Sequence, residues 1–264
     1  MTMAADFQVA NEDVRSQVSA EEWQQRVELA ACYRMIAHLG WDDLVFTHIS
    51  ARVPGPDEHF LLNPYGMMFE EVTASSLVKV DLDGNKVVES PHEINPAGFV
   101  IHSAVHSARP DAQCVIHLHT AEGVAVSAQK AGLLPITQTA LYVIPTLSYH
   151  AYEGVALKDE EKPRLQADLG RTNTMILENH GLLSLGRSIG AAFLSMFTLQ
   201  RACEAQIMAQ AGGSELRFVA DEIVKDVPAQ GKAVLKAAGG VSGAARAWPA
   251  VMRKMDRLDP SYRD

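Results

Sequence analysis

The stretch from Cys114 to Gly123, CVIHLHTAEG, places two histidines in an otherwise apolar run. The alternation of histidine with apolar residues predicts a strand, in which side chains two residues apart point to the same face. His117 and His119 therefore share a face, with their backbones about 6–7 Å apart. Two imidazoles arranged in this way can converge on one cation at the end of a strand. A structural pair of histidines is the more frequent alternative, and the pattern alone leaves both interpretations open.

A third histidine lies at a second turn. In the segment ILENHGLL, His180 stands between a strand-like apolar run and a glycine. A turn at a strand end can present a ligand toward a neighbouring strand end, although Asn-His-Gly also forms turns without any ligand role. The chain has no HExxH, Walker A or GxGxxG motif that would indicate another kind of site. The long helices predicted around the HxH motif disfavour a cupin barrel.

The composition is that of a globular protein without a nucleic-acid or membrane partner. Hydrophobic residues make up 47% of the 264 residues, charged residues make up 21%, and the formal net charge is -9. The negative charge argues against nucleic acid, and no block of Lys or Arg indicates an anionic membrane. Cys32, Cys114 and Cys203 match no disulfide or metal spacing. Because no signal peptide or membrane span is predicted, we expect a cytoplasmic protein.

Helices and short strands are predicted along most of the chain. Ser19 and Glu22 form a capping box, which opens a helix that ends near Gly40. Further helices are predicted at AGFVIHSAVHSA, AEGVAVSAQK and DEEKPRLQADLG, and in the long run from Ser188 to Gln210. Strands are predicted at LVFTHISARV, FLLNPYG, LVKVD, QCVIHLH, LYVIPTLSY, TMILE and LLSLG. This mixture predicts an α/β protein.

The same pattern predicts how the chain divides. We expect a flexible N-terminal arm at residues 1–18 and one α/β domain at residues 19–215, because nothing repeats and no linker interrupts the middle of the chain. A C-terminal extension at residues 216–264 is expected to pack on a neighbouring subunit. Its last segment, MRKMDRLDPSYRD, would then cover the neighbour's site, where Tyr262 could supply a hydrogen-bond donor.

Several segments together resemble one family. They are ARPDAQCVIHLHT, LENHGLLSLG, NPYGMMFEEVTASSLVKVDLDG, GLLPI, SYHAYEG and the helix after GRSIGAAF. Over about residues 22–213 the chain resembles the class II aldolase/adducin family, with the adducin head domain and its bacterial relatives as the nearest members. The resemblance implies a three-layer α/β/α fold with a central, largely antiparallel sheet. It also implies a homotetramer with its site at a subunit interface.

The resemblance implies a metal site as well. His117, His119 and His180 match the three histidines that bind the divalent metal in this family, commonly zinc. Three imidazoles also suit manganese, iron, cobalt or nickel. In the family aldolases the metal stabilises the enediolate oxygens that form when a C–C bond beside a carbonyl breaks.

The chain departs from the sugar-phosphate aldolases at several positions. Where those enzymes carry a Ser-Ser-Glu motif, with phosphate-binding serines and an acid/base carboxylate, this chain has Pro96-Ala97-Gly98. Tyr65 replaces a threonine of the phosphate loop, and Gln138 or Thr139 replaces the proton-donating interface tyrosine. We therefore expect an unphosphorylated substrate and a different group for proton transfer.

Four residues are candidates for that chemistry. His150 follows a strand-like run in SYHAYEG, and the phenol of Tyr152 or of Tyr149 could act as an acid. The alternative for His150 and Tyr152 is a purely structural role at an interface. Glu178, two residues before His180, could orient an imidazole or could be a solvated turn residue.

A further histidine pair, His102 and His106, is spaced i, i+4 on a predicted helix. The two could bind metal, but we expect them to pack or hydrogen-bond beneath the site.

Two hypotheses of function follow. The first is a metal-dependent lyase that performs aldol cleavage or decarboxylation, through a metal-bound enolate, on an unphosphorylated hydroxy or keto acid or a related carbonyl compound. The second is a non-catalytic, adducin-like oligomeric module with a vestigial metal site. An open, polar pocket beside the histidines would favour the lyase.

Overall fold

A computed structural model describes residues 11–155 and 159–264. The helices are α1 (Asn11–Gln17), α2 (Ala20–His38), α3 (Pro96–Ala108), α4 (Ala121–Ser127), α5 (Gln138–Val143), α6 (Lys162–Leu169), α7 (Ile189–Ala211), α8 (Asp221–Ala237) and α9 (Gly243–Leu258). The strands are β1 (His48–Arg52), β2 (Phe60–Leu62), β3 (Val78–Val80), β4 (Cys114–Leu118), β5 (Leu147–His150), β6 (Thr174–Leu177) and β7 (Gly181–Gly186). Residues 1–10 of the expected arm lie outside the described residues, and α1 occupies most of its remainder.

The strands form one seven-stranded sheet in the order β3-β2-β1-β4-β7-β6-β5. Neighbouring strands are antiparallel except β5 and β6, which run parallel. This arrangement confirms the largely antiparallel sheet that the resemblance implied. The HxH strand, β4, lies at the centre, with His117 opposite His48 of β1 and opposite Leu183 of β7.

Helices cover both faces of the sheet. On β4, Ile116 and Leu118 belong to an apolar cluster that includes residues of α2 and α7. Val115 belongs to a separate cluster with residues of α3 and α6. The alternation of β4 therefore divides its side chains between two cores, as the sequence predicts, and the fold has three layers. None of the helices in the described part of the chain has the length and apolar character that a membrane span requires.

The histidines of α3 hydrogen-bond beneath the site, as expected. Ser50 Oγ lies 2.6 Å from His102 Nδ1 and 2.7 Å from His106 Nε2. His106 Nδ1 donates to the carbonyl of Ala112 at 3.0 Å, so its Nε2 accepts the hydroxyl proton of Ser50 when the ring is neutral. Burial, assisted by the nearby charge of Arg52, lowers the pKa of His106 to about 3. The pair thus joins α3 to β1 in its uncharged form.

The strand predicted at LYVIPTLSY begins later than expected. Thr137 caps α5 by accepting a hydrogen bond from the Ala140 N–H at 3.1 Å, so the first residues of the segment are helical. Pro145 then lies in a 3-10 helix, Ile144–Thr146, before β5 begins at Leu147. The prediction was wrong for the first half of the segment, because the cap and the proline outweighed strand composition.

The C-terminal segment packs on its own domain. The indole of Trp248 in α9 donates to Glu28 of α2 at 3.0 Å, and Arg34 pairs with Asp259 at 2.9 Å. The last residues form a 3-10 helix, Pro260–Arg263, in which Tyr262 has no exposed side-chain surface and donates its hydroxyl proton to Asp256. Tyr262 is therefore part of the core of its own chain and is not exposed as a donor for a neighbour. Contact between residues 216–264 and a second subunit stays a prediction.

Replacing the buried ring of Tyr262 should destabilise the fold. Tyr262→Ala should lower the free energy of unfolding by about 3 kcal/mol or more, because it leaves a cavity between the C-terminus and α2. Tyr262→Phe, the matched control, should lower it by only about 1 kcal/mol through loss of the hydrogen bond to Asp256. Urea titration followed by circular dichroism measures both changes. Equal effects of the two variants would contradict the burial of the ring.

The buried histidines should make stability fall in mild acid. The pKa of folded His106 is about 3, compared with 6.5 for an ordinary histidine, so the unfolded chain binds the extra proton first. Stability should therefore decrease as the pH falls below 6.5, by up to about 1.4 kcal/mol per pH unit for this residue.

Stability curves of His106→Asn check this prediction. The variant should lose that part of the pH dependence, whereas His38→Asn, at an exposed histidine, should retain it. Parallel curves for His106→Asn and the unaltered protein would show that the burial of His106 does not govern the acid response.

Candidate metal centre

The structure brings the three predicted histidines together. His117 lies in β4, His119 follows the end of that strand, and His180 lies in the turn between β6 and β7. One ring nitrogen from each histidine lies within 4.8 Å of the others. Antiparallel pairing of β4 with β7 places this turn beside His119, and Asn179 adopts the left-handed conformation (φ 56°) that reverses the chain. The convergence expected from the sequence is therefore present.

Hydrogen bonds fix the orientation of two of the rings. His117 Nδ1 donates to the carbonyl of Leu182 at 3.0 Å, and His119 Nδ1 donates to Asp43 Oδ2 at 3.0 Å. In neutral imidazoles both Nε2 atoms then carry lone pairs, and these two atoms lie only 3.0 Å apart. Two facing lone pairs repel unless a cation lies beside them. This donor set fits a divalent metal, whose histidine ligands normally anchor the other nitrogen in this way.

Burial keeps His117 and His180 in the uncharged form that binds metal. It lowers the pKa of His117 well below its ordinary value and lowers the pKa of His180 to about 4, and the neighbouring imidazoles add to both shifts. The rings of His117 and His180 are therefore uncharged at neutral pH, and neither has to lose a proton before a cation binds.

The carboxylate next to the cluster is Asp43, which the sequence analysis did not single out. Asp43 precedes β1 in the segment WDDLVF, and nothing in that short acidic pair indicated contact with a strand about seventy residues later. Glu178, the expected orienting carboxylate, is exposed, and its backbone N–H donates to the carbonyl of His150 at 2.9 Å. Glu178 lines a small neighbouring cavity together with His150 and His180.

A cavity of about 330 Å³ opens in front of the three histidines. Tyr152 lines it, with its ring centroid 6.4 Å from that of His180 and its side chain 54% exposed. Phe46, Ile101 and Val155 form apolar parts of the wall. The structure therefore places one predicted acid, Tyr152, at the mouth of the site.

His150 lies behind this cavity. Its ring is buried, with Nδ1 2.7 Å from Asp168 Oδ2 and Nε2 3.4 Å from Glu161 Oε1. Tyr149, the other phenol considered, accepts the Leu133 N–H at 3.0 Å, on a different part of the surface. Neither residue lines the cavity in front of the three histidines.

A fourth histidine, His48, also lines the cavity and was not predicted to do so. It is buried in β1 opposite His117, and burial, with a smaller effect of the neighbouring imidazoles of His119 and His180, lowers its pKa to about 4. The signal available in the sequence was the alternation of His48 with Ser50 in the strand THIS. That alternation places His48 on the face that carries the His102 and His106 interactions.

The chain also contains the G-x-S-x-G pattern of serine hydrolases, at GRSIG from Gly186 to Gly190. Ser188 is the N-cap of α7 and accepts the Ala191 N–H at 3.1 Å. It lines a separate cavity of about 480 Å³, and no histidine is among the described residues around that cavity. Ser188 therefore serves as a helix cap.

Known proteins match both the sequence and the fold. Residues 27–207 match the family model described as Class II Aldolase and Adducin N-terminal domain. A candidate aldolase class 2 protein of Pseudomonas aeruginosa is 60% identical over 251 residues, which cover 95% of this chain and 96% of that protein. Mouse alpha-adducin is 43% identical over 249 residues, which cover 88% of this chain and 33% of adducin.

A solved structure extends this similarity to an enzyme. The L-fuculose 1-phosphate aldolase from Glaciozyma antarctica PI12 matches with a TM-score of 0.79 and 26% identity, covering 93% of this chain and 94% of that one. The family model spans most of the chain, and the relatives above match nearly all of it. The chain therefore belongs to the class II aldolase and adducin family.

Proposed function

We propose that this protein is a metal-dependent carbon–carbon lyase that acts on an unphosphorylated hydroxy or keto acid or a related carbonyl compound. The observation that carries the proposal is the pair of Nε2 atoms of His117 and His119, 3.0 Å apart, with both Nδ1 atoms engaged as donors. His180 completes the set beside an open cavity. Three imidazoles with free space in front of them are typical of catalytic metal sites.

His117, His119 and His180 would hold the cation, for which we propose zinc, with manganese, iron, cobalt and nickel as the alternatives. When bound, the cation supplies Lewis-acid stabilisation of the negative charge that develops on a substrate oxygen as the neighbouring C–C bond breaks. Asp43 holds the ring of His119 in place. The carbonyl of Leu182 does the same for His117.

The wall of the cavity supports a substrate without a phosphate group. Among the described residues that line it there is no lysine or arginine, and the only carboxylate is that of Asp43. A phosphate ester would lack the cationic partner that such groups normally receive. A hydroxy or keto acid can instead chelate a divalent cation through two adjacent oxygens. Phe46, Ile101 and Val155 suit a small apolar substituent on that acid.

Tyr152 is the proton donor that we propose, because its phenol lies at the mouth of the cavity. His150 is proposed as a positioning residue, since the carboxylate of Asp168 holds its ring behind the segment that carries Tyr152. Glu178 stays a predicted contributor, for which no hydrogen bond to an imidazole is found in the described structure. Aldol cleavage and decarboxylation have equal weight, because decarboxylation needs no base to remove a proton first.

The second candidate function is a non-catalytic, adducin-like module. The similarity to alpha-adducin and the glycine at position 98 favour it, although this chain matches only about a third of adducin's length. In either case we propose a homotetramer in the cytoplasm. The three buried free cysteines, Cys32, Cys114 and Cys203, agree with a reducing compartment.

Metal analysis distinguishes the two candidates. The purified protein should contain one equivalent of a first-row metal per chain by inductively coupled plasma mass spectrometry. His119→Ala should lose it, because two imidazoles remain, and Asp43→Asn should bind it about 10–100-fold more weakly.

His38→Ala, at an exposed histidine outside the site, is the matched control and should retain the full equivalent. If the unaltered protein takes up no metal after incubation with zinc or manganese, the lyase is excluded and the module is supported.

Activity should depend on the phenol of Tyr152. With a panel of hydroxy and keto acids, scored for cleavage or CO₂ release, Tyr152→Phe should lower kcat about 10²–10⁴-fold while the metal content stays unchanged. Glu178→Gln, tested beside it, should alter metal affinity if Glu178 orients His180. A fully active Tyr152→Phe would assign proton transfer to another group.

A further inference from the structure

His48 occupies a central position that the proposed metal site does not use. It lies in β1 directly opposite His117, and the two rings are nearly parallel, with centroids 6.2 Å apart. The ring of His102 lies edge-on to it at 5.7 Å. His48 is 5% exposed, yet it lines the cavity in front of the three histidines. It is therefore a buried imidazole at the wall of the ligand cavity.

Both ring nitrogens of His48 lack a hydrogen-bond partner. Nδ1 and Nε2 are buried, and no described protein group donates to them or accepts from them. A neutral imidazole has one N–H and one lone pair, and buried polar atoms are nearly always satisfied. His106 is bonded through both nitrogens and His102 through Nδ1, while His102 Nε2 also lacks a partner. Unlike His102, His48 lacks a partner at both nitrogens and lines the cavity, so a ligand in the cavity can supply one.

Gly98 makes room for this ring. A Cβ atom at position 98 would overlap the imidazole of His48, so a side chain at 98 and the observed position of His48 exclude each other. Gly98 is in the first turn of α3 and lines the same cavity. It is also the position at which the sugar-phosphate aldolases were expected to carry a carboxylate. The polar side chain in this part of the cavity therefore comes from β1 and not from α3.

We propose that His48 hydrogen-bonds an oxygen atom of the small acid bound in front of His117, His119 and His180, and that Gly98 is required to give its ring this place. The inference rests on the proposed function and extends it by naming a substrate-binding residue. A single imidazole N–H and its lone pair suit a hydroxyl or carboxylate oxygen, which agrees with the absence of lysine and arginine among the described residues of the wall.

The test uses oxalate, a planar acid with two adjacent oxygens, as the probe. Zinc-loaded protein is titrated with oxalate by isothermal calorimetry, and bound zinc is counted by mass spectrometry. His48→Leu should keep the zinc but bind oxalate about 10–100-fold more weakly, as expected for a lost hydrogen bond to a charged group. His48→Gln, which retains a side-chain donor, should recover part of the affinity.

Gly98→Ala should weaken oxalate binding as His48→Leu does, because it displaces the ring without removing it. His38→Leu, at an exposed histidine, should change neither measurement. Circular dichroism spectra establish that each variant is folded, and His48→Gln provides the comparison if His48→Leu is not.

The outcomes separate this inference from the proposed function. Zinc retained with undiminished oxalate affinity in His48→Leu would overturn the inference and leave the lyase intact. Loss of zinc from both His48 variants would also overturn it, by assigning His48 to the cation itself. If the unaltered protein binds no zinc, the proposed function fails and the inference fails with it.

Discussion

The pairing of β4 with β7 is the constraint on which the site depends. Leu118 lies opposite Leu182 in this antiparallel ladder, so the turn that carries His180 comes to rest beside the end of β4. The same ladder orients a ligand candidate directly, because His117 donates to the carbonyl of Leu182. Every residue of both strands is buried, and a shift of one residue would move the apolar side chains into the wrong core. Packing of the two cores therefore holds the histidines in register.

Four buried imidazoles lie between the central sheet and α3. They are His48, His102, His106 and His117, and burial lowers the pKa of each. Burying an uncharged imidazole costs less desolvation free energy than burying an ammonium or carboxylate group, and the ring still offers one donor and one acceptor. On α3, Ser50 hydrogen-bonds one nitrogen of His102 and one of His106, and the Ala112 carbonyl accepts from the second nitrogen of His106. At the cavity, both nitrogens of His48 are without a protein partner, and we propose that a ligand supplies one.

Membership of the family does not by itself decide between an enzyme and a binding module. The family model joins aldolases with adducin, and one fold commonly supports both kinds of protein. The decision lies in a few side chains around one cavity. Our proposal of a small-acid lyase rests on Asp43 beside His119, on Tyr152 at the cavity and on a wall without lysine or arginine among its described residues.

Local sequence patterns were sufficient to predict several helices and strands and the face on which the HxH histidines lie. The period of two in β4 assigned His117 and His119 to one face, and the capping box at Ser19 marked the start of α2, because both signals depend only on neighbouring residues. The motif resemblance then indicated His180 and the antiparallel sheet. The tertiary structure alone decided which distant groups meet. In that structure Asp43 contacts His119, and His48 occupies the space beside Gly98. His150 lies behind the cavity, and Tyr262 is buried in its own chain. These contacts join residues far apart in sequence, and their partners are chosen by strand register and core packing, which no local pattern records.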